Sequence, residues 1–218
     1  MTEKITHYFN PFEFKSIIIP GGYVLSFLLI THPSIESFIA TITFGGFSLF
    51  VFLSFIIGQL INSLSYFQEK LFWYFFGGMP TDWLLRENRQ KKRWAKILTE
   101  TQLLKLDELI QKKLIIDLNN VHTNDYRAVV HQLRLNIHND KLHRLLDHNT
   151  QYCLHRSLST ASALLACYLF FIYAWTIGII LIICSFLFSY RLYKFGIYYA
   201  RELFLQFINT SNLEDSLK

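Results

Sequence analysis

Residues 157–190, SLSTASALLACYLFFIYAWTIGIILIICSFLFSY, form a run of 34 residues without Asp, Glu, Lys or Arg, bounded by Arg156 and Arg191. A helix in a soluble protein must present a wetted face, and this run has no charge to wet one. About 20 apolar residues cross a hydrocarbon core roughly 30 Å thick. At about 1.5 Å per residue the whole run would extend roughly 50 Å, too far for one comfortable crossing. Ala174-Trp175-Thr176-Ile177-Gly178 offers a place to fold it in two. Trp175 then lies at the bilayer surface, where indole rings are enriched. The run therefore predicts two short helices, over about 159–174 and 177–191.

Two further charge-free intervals precede it, with 20 residues between Lys15 and Glu36 and 32 between Glu36 and Glu69. They predict a first hairpin over about 15–31 and 36–61, turning at Thr31-His32-Pro33-Ser34. Proline lacks a backbone donor and suits that turn. Pro20-Gly21-Gly22 interrupts the first span, so a re-entrant or interfacial segment competes with a full crossing there. In lipid a broken helix persists only where its neighbours satisfy the freed carbonyls. The first apolar run starts late and lacks a small-residue cleavage site, so no cleaved signal peptide is expected. The expected fold class is all-α: an integral membrane protein with two transmembrane helical hairpins (four spans) and a helical cytoplasmic insert. Its segments are 1–62 (N-terminal arm and first hairpin), 63–156 (basic helical module), 157–191 (second hairpin) and 192–218 (C-terminal helix and tail).

Composition agrees. Hydrophobic residues make up 52% of the 218-residue chain and charged residues 17%, below the roughly 25% of an average soluble domain. The basic residues fix an orientation. The hairpin turns carry no Lys or Arg, whereas 15 of the 21 fall between Glu69 and Arg156, 4 from Arg191 onward and 2 in the N-terminal arm. Basic residues mark the cytoplasmic side. Both termini and the central module are thus expected in the cytoplasm. Cys153, Cys167 and Cys184 show no paired spacing, which suits a reduced compartment or burial in the membrane.

The second span has no clean end. Residues 58–76 stay apolar while polar side chains enter, as in a helix leaving the bilayer, and Gly77-Gly78-Met79-Pro80 breaks it. Thr81 or Asp82 is expected to cap the next helix. That helix carries Arg86, Arg89, Lys91, Lys92, Arg93 and Lys96, with Trp83 and Trp94 interleaved. Such a face suits anionic lipid headgroups, a partner or solvent, or nucleic acid. Thr99-Glu100-Thr101-Gln102 fits a capping box opening another helix, followed by a stripe at Leu103, Leu106, Ile110 and Leu114. A further helix starts near Asn124-Asp125 and carries Val129, Val130, Leu133 and Ile137, and Leu142, Leu145 and Leu146 continue the pattern.

Six of the eight histidines fall between His122 and His155. Arg127/His131, Arg134/His138 and Arg144/His148 repeat an Arg-x3-His spacing, one helical turn. This spacing is shorter by at least one residue than the Arg and His motif of helical RNases, which turns the His by about 100°. Asp140, His143 and Asp147 share a helical face, but there is no HExxH pattern and no paired CxxC. No catalytic residue, metal or cofactor is expected, and the chain is expected not to be an enzyme. Gly21, Gly22, Gly45, Gly46 and Ala163 are candidate helix-packing positions, because small residues let membrane helices approach closely. Ser159, Ala161, Ser162 and Ala166 extend that seam. The spans contain no ionisable Asp, Glu, Lys or Arg, which weighs against a pump or secondary transporter. A passive pore remains open and requires oligomerisation to enclose it.

The layout resembles the small four-span membrane accessory proteins of type VI-B CRISPR loci and related prokaryotic antiphage loci. The residues that carry the resemblance are Pro20-Gly21-Gly22, Gly58-Gln59-Leu60-Ile61-Asn62-Ser63-Leu64, Gly77-Gly78-Met79-Pro80-Thr81-Asp82-Trp83-Leu84-Leu85 and residues 191–202. The resemblance implies a membrane-embedded accessory effector or regulator of antiviral defence in the bacterial inner membrane, acting on the bilayer as an oligomeric pore or perturbant. It implies a lipid bilayer, further copies of the chain, and a cytoplasmic defence nuclease or RNA-guided complex as partners. It supplies no catalytic residues. A constitutive small ion channel or transport subunit is the alternative.

Overall fold

A computed structural model of the chain describes residues 11–32, 46–85, 97–114, 126–137, 142–172 and 174–216. Every regular element among them is helical. The chain opens with α1 (Pro11–Glu13), a π-helical turn (Phe14–Ile18) and α2 (Ile19–Thr31). The long α3 (Gly46–Phe75) and short α4 (Pro80–Leu85) follow. The remaining elements are α5 (Glu100–Leu114), α6 (Tyr126–Leu135), α7 (Leu142–Phe171) and α8 (Trp175–Ser216). The helices outrun the apolar sequences that predicted them: α7 begins well before 159 and α8 continues well past 191.

Pro20 does not break the first helix. Proline removes one intrahelical donor and crowds the carbonyl four residues earlier. The chain answers with a wider π turn, in which the Ile19 N–H reaches the Phe14 carbonyl. Ser16 Oγ donates to the Phe12 carbonyl at 2.5 Å, so a side chain also serves the distorted turn. The helix then continues to Thr31, whose hydroxyl donates to the Phe27 carbonyl at 3.0 Å.

Three segments among the described residues are long and apolar enough to cross a membrane: Phe14–Thr31, Gly46–Trp83 and Trp175–Ser211. Helix α7 is absent from that set because its apolar part, residues 161–171, follows a polar half. Eleven residues extend only about 16 Å, half of a hydrocarbon core.

The chain divides into two units, 1–71 with 150–193 and 72–149 with 194–218. The first unit is built inside out. Ser54, Ser157, Ser159, Ala161, Ser162 and Ala166 are fully buried. Phe52, Leu60, Phe171, Ile179, Phe186 and Leu187 are exposed. Water would penalise such an outer surface, whereas lipid accepts it and leaves small and hydrogen-bonding residues to join the helices. The chain is a membrane protein on this evidence. Leu165, Ala166, Leu169 and Leu181 form a tight cluster, with Tyr23, Val24 and Phe27 of α2 packed on it.

In the second unit, α3 ends in a Schellman motif. Gly78 N–H donates to the Trp73 carbonyl at 2.8 Å and Gly77 N–H to that of Tyr74 at 3.2 Å. Both glycines have positive φ, 73° and 100°, where a Cβ is disfavoured. The next cap differs from expectation: α4 starts at Pro80, so Asp82 is its third residue and reaches back to accept from Met79 N–H at 3.1 Å. Trp83 Nε1 donates to the Gly78 carbonyl at 2.9 Å and its ring meets Trp73 edge-on, pinning the elbow. The capping box before α5 is reciprocal: Thr99 N–H donates to Gln102 Oε1 at 3.0 Å, and Gln102 N–H to Thr99 Oγ1 at 3.4 Å. Leu103, Leu106, Ile110, Val129, Leu133, Ile137 and Leu145 are buried, as their periodicity predicts, whereas Leu146 is exposed. Leu203, Phe204 and Phe207 of α8 belong to the same buried set, and α4 packs on α6.

Helices α2 and α3 touch through backbone. A Cβ on Gly21 would stand 1.8 Å from the Ser54 carbonyl oxygen, and one on Gly58 2.1 Å from that of Ile17. Gly21→Ala should therefore force the helices apart and cost about 1–3 kcal/mol. Gly22→Ala, with Ser54 Oγ 3.5 Å away, should be nearly neutral. Thermal unfolding of the detergent-solubilised chain compares the two, and equal losses would contradict this crossing.

Candidate functional site

The described spans are not free of internal charge. Helix α3 places Asn62 and Glu69 two turns apart, so both face α7. Helix α7 places Tyr152, Arg156, Ser159 and Thr160 on its facing side by the same spacing. Glu69 is 6% exposed. Its Oε2 accepts from Arg156 Nη1 at 2.5 Å, and its Oε1 accepts from the Tyr152 hydroxyl at 2.6 Å. Arg156 Nη2 donates to Asn62 Oδ1 at 2.6 Å. Each buried charge thus has a counter-charge and a neutral hydrogen-bond partner.

One turn further along, the network becomes neutral. Gln68 Nε2 donates to Ser159 Oγ at 2.9 Å, and the Thr160 hydroxyl donates to Gln68 Oε1. Ser159 Oγ lies 2.8 Å from Ser189 Oγ and 3.1 Å from the Ser185 carbonyl of α8. Ser185 Oγ returns a bond to the Ser159 carbonyl at 2.9 Å. Ser159 therefore joins all three long helices, which exceeds the close-packing role its small size suggested.

Removing two charges from water costs several kcal/mol per ion, and only good geometry offsets it. The clamp lies where the charge-free runs end, since Glu69 closes one and Arg156 opens another. Beside it the Cys153 thiol is pushed above its ordinary range by burial, with Arg156 partly opposing. Burial, and secondarily Arg191, holds the His155 imidazole below its usual range, and its ring stacks on Phe188.

The other sequence candidates are scattered. Gly21 lies at the α2/α3 crossing, Gly22 faces Phe50 and Ser54, Gly46 begins α3, and Ala163 is half-buried on α7. Gly45 lies outside the described residues, as do Arg86, Arg89, Lys91, Lys92, Arg93 and Lys96. His131 and His143 are exposed, and His148 packs against Phe195 and Tyr198. His138 and Asp140 lie outside the described residues. Among the described residues no three His, Cys, Asp or Glu side chains gather as metal ligands.

In the sequence Glu69 and Arg156 stand only as ends of charge-free runs and Asn62 only within the Gly58–Leu64 motif, and Gln68 and Tyr152 carry no signal of their own. Opposite charges at the ends of two spans predicted to share one membrane face were the available signal. The chain matches no family model, no curated protein and no solved structure. Tyr152→Phe removes one donor from a buried carboxylate and should lower stability by about 1–3 kcal/mol. An unchanged melting temperature for this variant in detergent would show that the phenol contributes nothing to the clamp.

Proposed function

We propose that the chain is a four-span protein of the bacterial inner membrane and a non-enzymatic accessory effector or regulator of prokaryotic antiviral defence. In this reading α2, α3, α7 and α8 cross the bilayer, and both termini and residues 63–156 are cytoplasmic. Helix α7 crosses despite its short apolar part because Ser159, Thr160 and Ser162 are buried and bonded to neighbouring helices. Lipid then meets only its apolar side.

The observation that carries the regulatory reading is helix continuity. Helices α3, α7 and α8 each contribute residues to both units, and the clamp fastens α3 to α7 where their charge-free runs meet charged sequence. A signal that displaces the polar segments acts on the same helices that line the membrane unit. The signal's source is a defence nuclease or RNA-guided complex, and the output is an oligomeric pore or perturbation of the bilayer. The Arg86, Arg89, Lys91, Lys92, Arg93 and Lys96 cluster supplies the contact to anionic lipid, partner or nucleic acid.

Bacteria carrying the chain beside an RNA-guided defence system provide the test. Activation by a matching target transcript should depolarise the membrane, read by a potential-sensitive dye, and lower phage yield. Deleting the chain should abolish the depolarisation. Unchanged potential and unchanged phage yield with and without the chain would refute the proposal. Conductance in vesicles without any trigger would favour a constitutive channel instead.

A further inference from the structure

The uncharged stretches of the first unit's helices are short, and their ends are level. On α2 residues 16–31 separate Lys15 from His32. On α7 residues 157–171 run from Arg156 to the helix end, and on α8 residues 175–190 precede Arg191. These stretches hold 16, 15 and 16 residues (31 − 15, 171 − 156, 190 − 174) and extend about 22–24 Å. The hydrocarbon core of a typical bilayer is roughly 30 Å thick. On α8 exposed aromatic rings bracket the stretch, Trp175 at one end and Tyr190 at the other, with Ile180, Ile183 and Phe186 exposed between them. Such rings collect at the two bilayer surfaces. Direct contacts level the edges. At the inner edge Arg156 Nη2 donates to Asn62 Oδ1 at 2.6 Å, and the His155 ring stacks on Phe188. Gly58, one turn before Asn62, meets the Ile17 carbonyl. At the outer edge His32 Nε2 and the Tyr168 hydroxyl lie 2.5 Å apart, and the Phe170 and Trp175 rings meet at 5.3 Å.

We infer that the membrane unit thins the bilayer around itself to about 24 Å, an inference that rests on the four spans proposed above. A span shorter than the hydrocarbon is met by thinning the bilayer, by snorkelling of flanking side chains or by oligomerisation. Snorkelling is closed at both edges. At the inner edge the Arg156 guanidinium is held by Glu69 and Asn62 and cannot reach outward. At the outer edge there is no long cation to reach with, since residues 16–69 and 157–190 contain no Lys or Arg. The helices cannot lengthen the unit by sliding past one another, because Ser159 is bonded to Gln68, Ser185 and Ser189 and the α2/α3 crossing is backbone to backbone. Oligomerisation covers part of the lipid-facing surface and leaves the rim of the assembly equally short. Thinning gives the bilayer perturbation proposed above a physical form that needs no lumen.

Full-length chain reconstituted at rising protein-to-lipid ratio in stacked bilayers of dimyristoleoyl-, dioleoyl- or dierucoyl-phosphatidylcholine, whose chains lengthen in that order, provides the test. Lamellar X-ray diffraction reads the headgroup-to-headgroup distance. In dioleoyl bilayers it should fall toward a limit about 6 Å below the protein-free value. The fall should be larger in dierucoyl bilayers and smallest in dimyristoleoyl ones. A distance that holds or rises in dioleoyl bilayers would overturn the inference, and a rise would place the exposed Phe67 and Leu71 of α3 in hydrocarbon. Alkaline-carbonate extraction separates two kinds of failure. A chain released from membranes overturns the membrane reading and the thinning with it, whereas a chain retained in bilayers of unchanged thickness overturns the thinning alone.

Discussion

A carboxylate and a guanidinium largely shut away from solvent, where the charge-free stretches of α3 and α7 end, constrain everything around them. Glu69 and Arg156 tolerate that environment only as a pair, and only with Tyr152 and Asn62 supplying further hydrogen bonds. The requirement fixes the rotation of α3 and α7 about their axes and their relative register. A shift of one residue on either helix would rotate its partner group by about 100° and strand a charge. Ser159, Ser185 and Ser189 then hold α8 in the same register. Apolar packing alone would distinguish these alternatives weakly, because it is not directional.

The remaining contacts follow from the same solvent argument. With lipid outside, large side chains gain little by turning inward, and the interior goes to residues that permit close approach or bond to one another. Gly21 and Gly58 let α2 meet α3 backbone to backbone. The π turn before Pro20 keeps that helix continuous where a simple α-helical turn would clash. In the second unit large apolar side chains take the interior. Leu106, Ile110, Leu133 and Phe204 are fully buried and caps close the helix ends. The two units thus differ in the kind of side chain they bury.

Much of this was legible in the sequence. Charge-free runs predicted apolar helices, the Thr99 to Gln102 spacing predicted a reciprocal cap, and the stripe at Leu103, Leu106 and Ile110 predicted a buried face. Helix lengths were not legible: α7 joins a polar half to an apolar one with no glycine or proline between them, and α8 runs on through Gly196 into polar sequence. The π turn escaped because proline in a helix suggests a break, and a single wider turn absorbs the same strain. The clamp escaped for a different reason. Pairwise meeting of Glu69 with Arg156 is a tertiary fact that depends on both helices at once, whereas periodicity describes one helix at a time. Glycine identity was informative only in part: Gly58 was noticed as a motif residue, and its role as the partner of Gly21 in the crossing needed coordinates.

The clamp fastens α3 to α7, two helices that contribute residues to both units, so the strength of that fastening is the central quantity. A double-mutant cycle on Glu69→Ala and Arg156→Ala, read by unfolding of the full chain in lipid, measures it most directly. The account predicts that each single variant loses about 3–5 kcal/mol. It also predicts that the double variant loses far less than their sum, a coupling of about 2 kcal/mol or more. Strictly additive losses would mean that the two charges do not depend on each other, and would contradict the clamp.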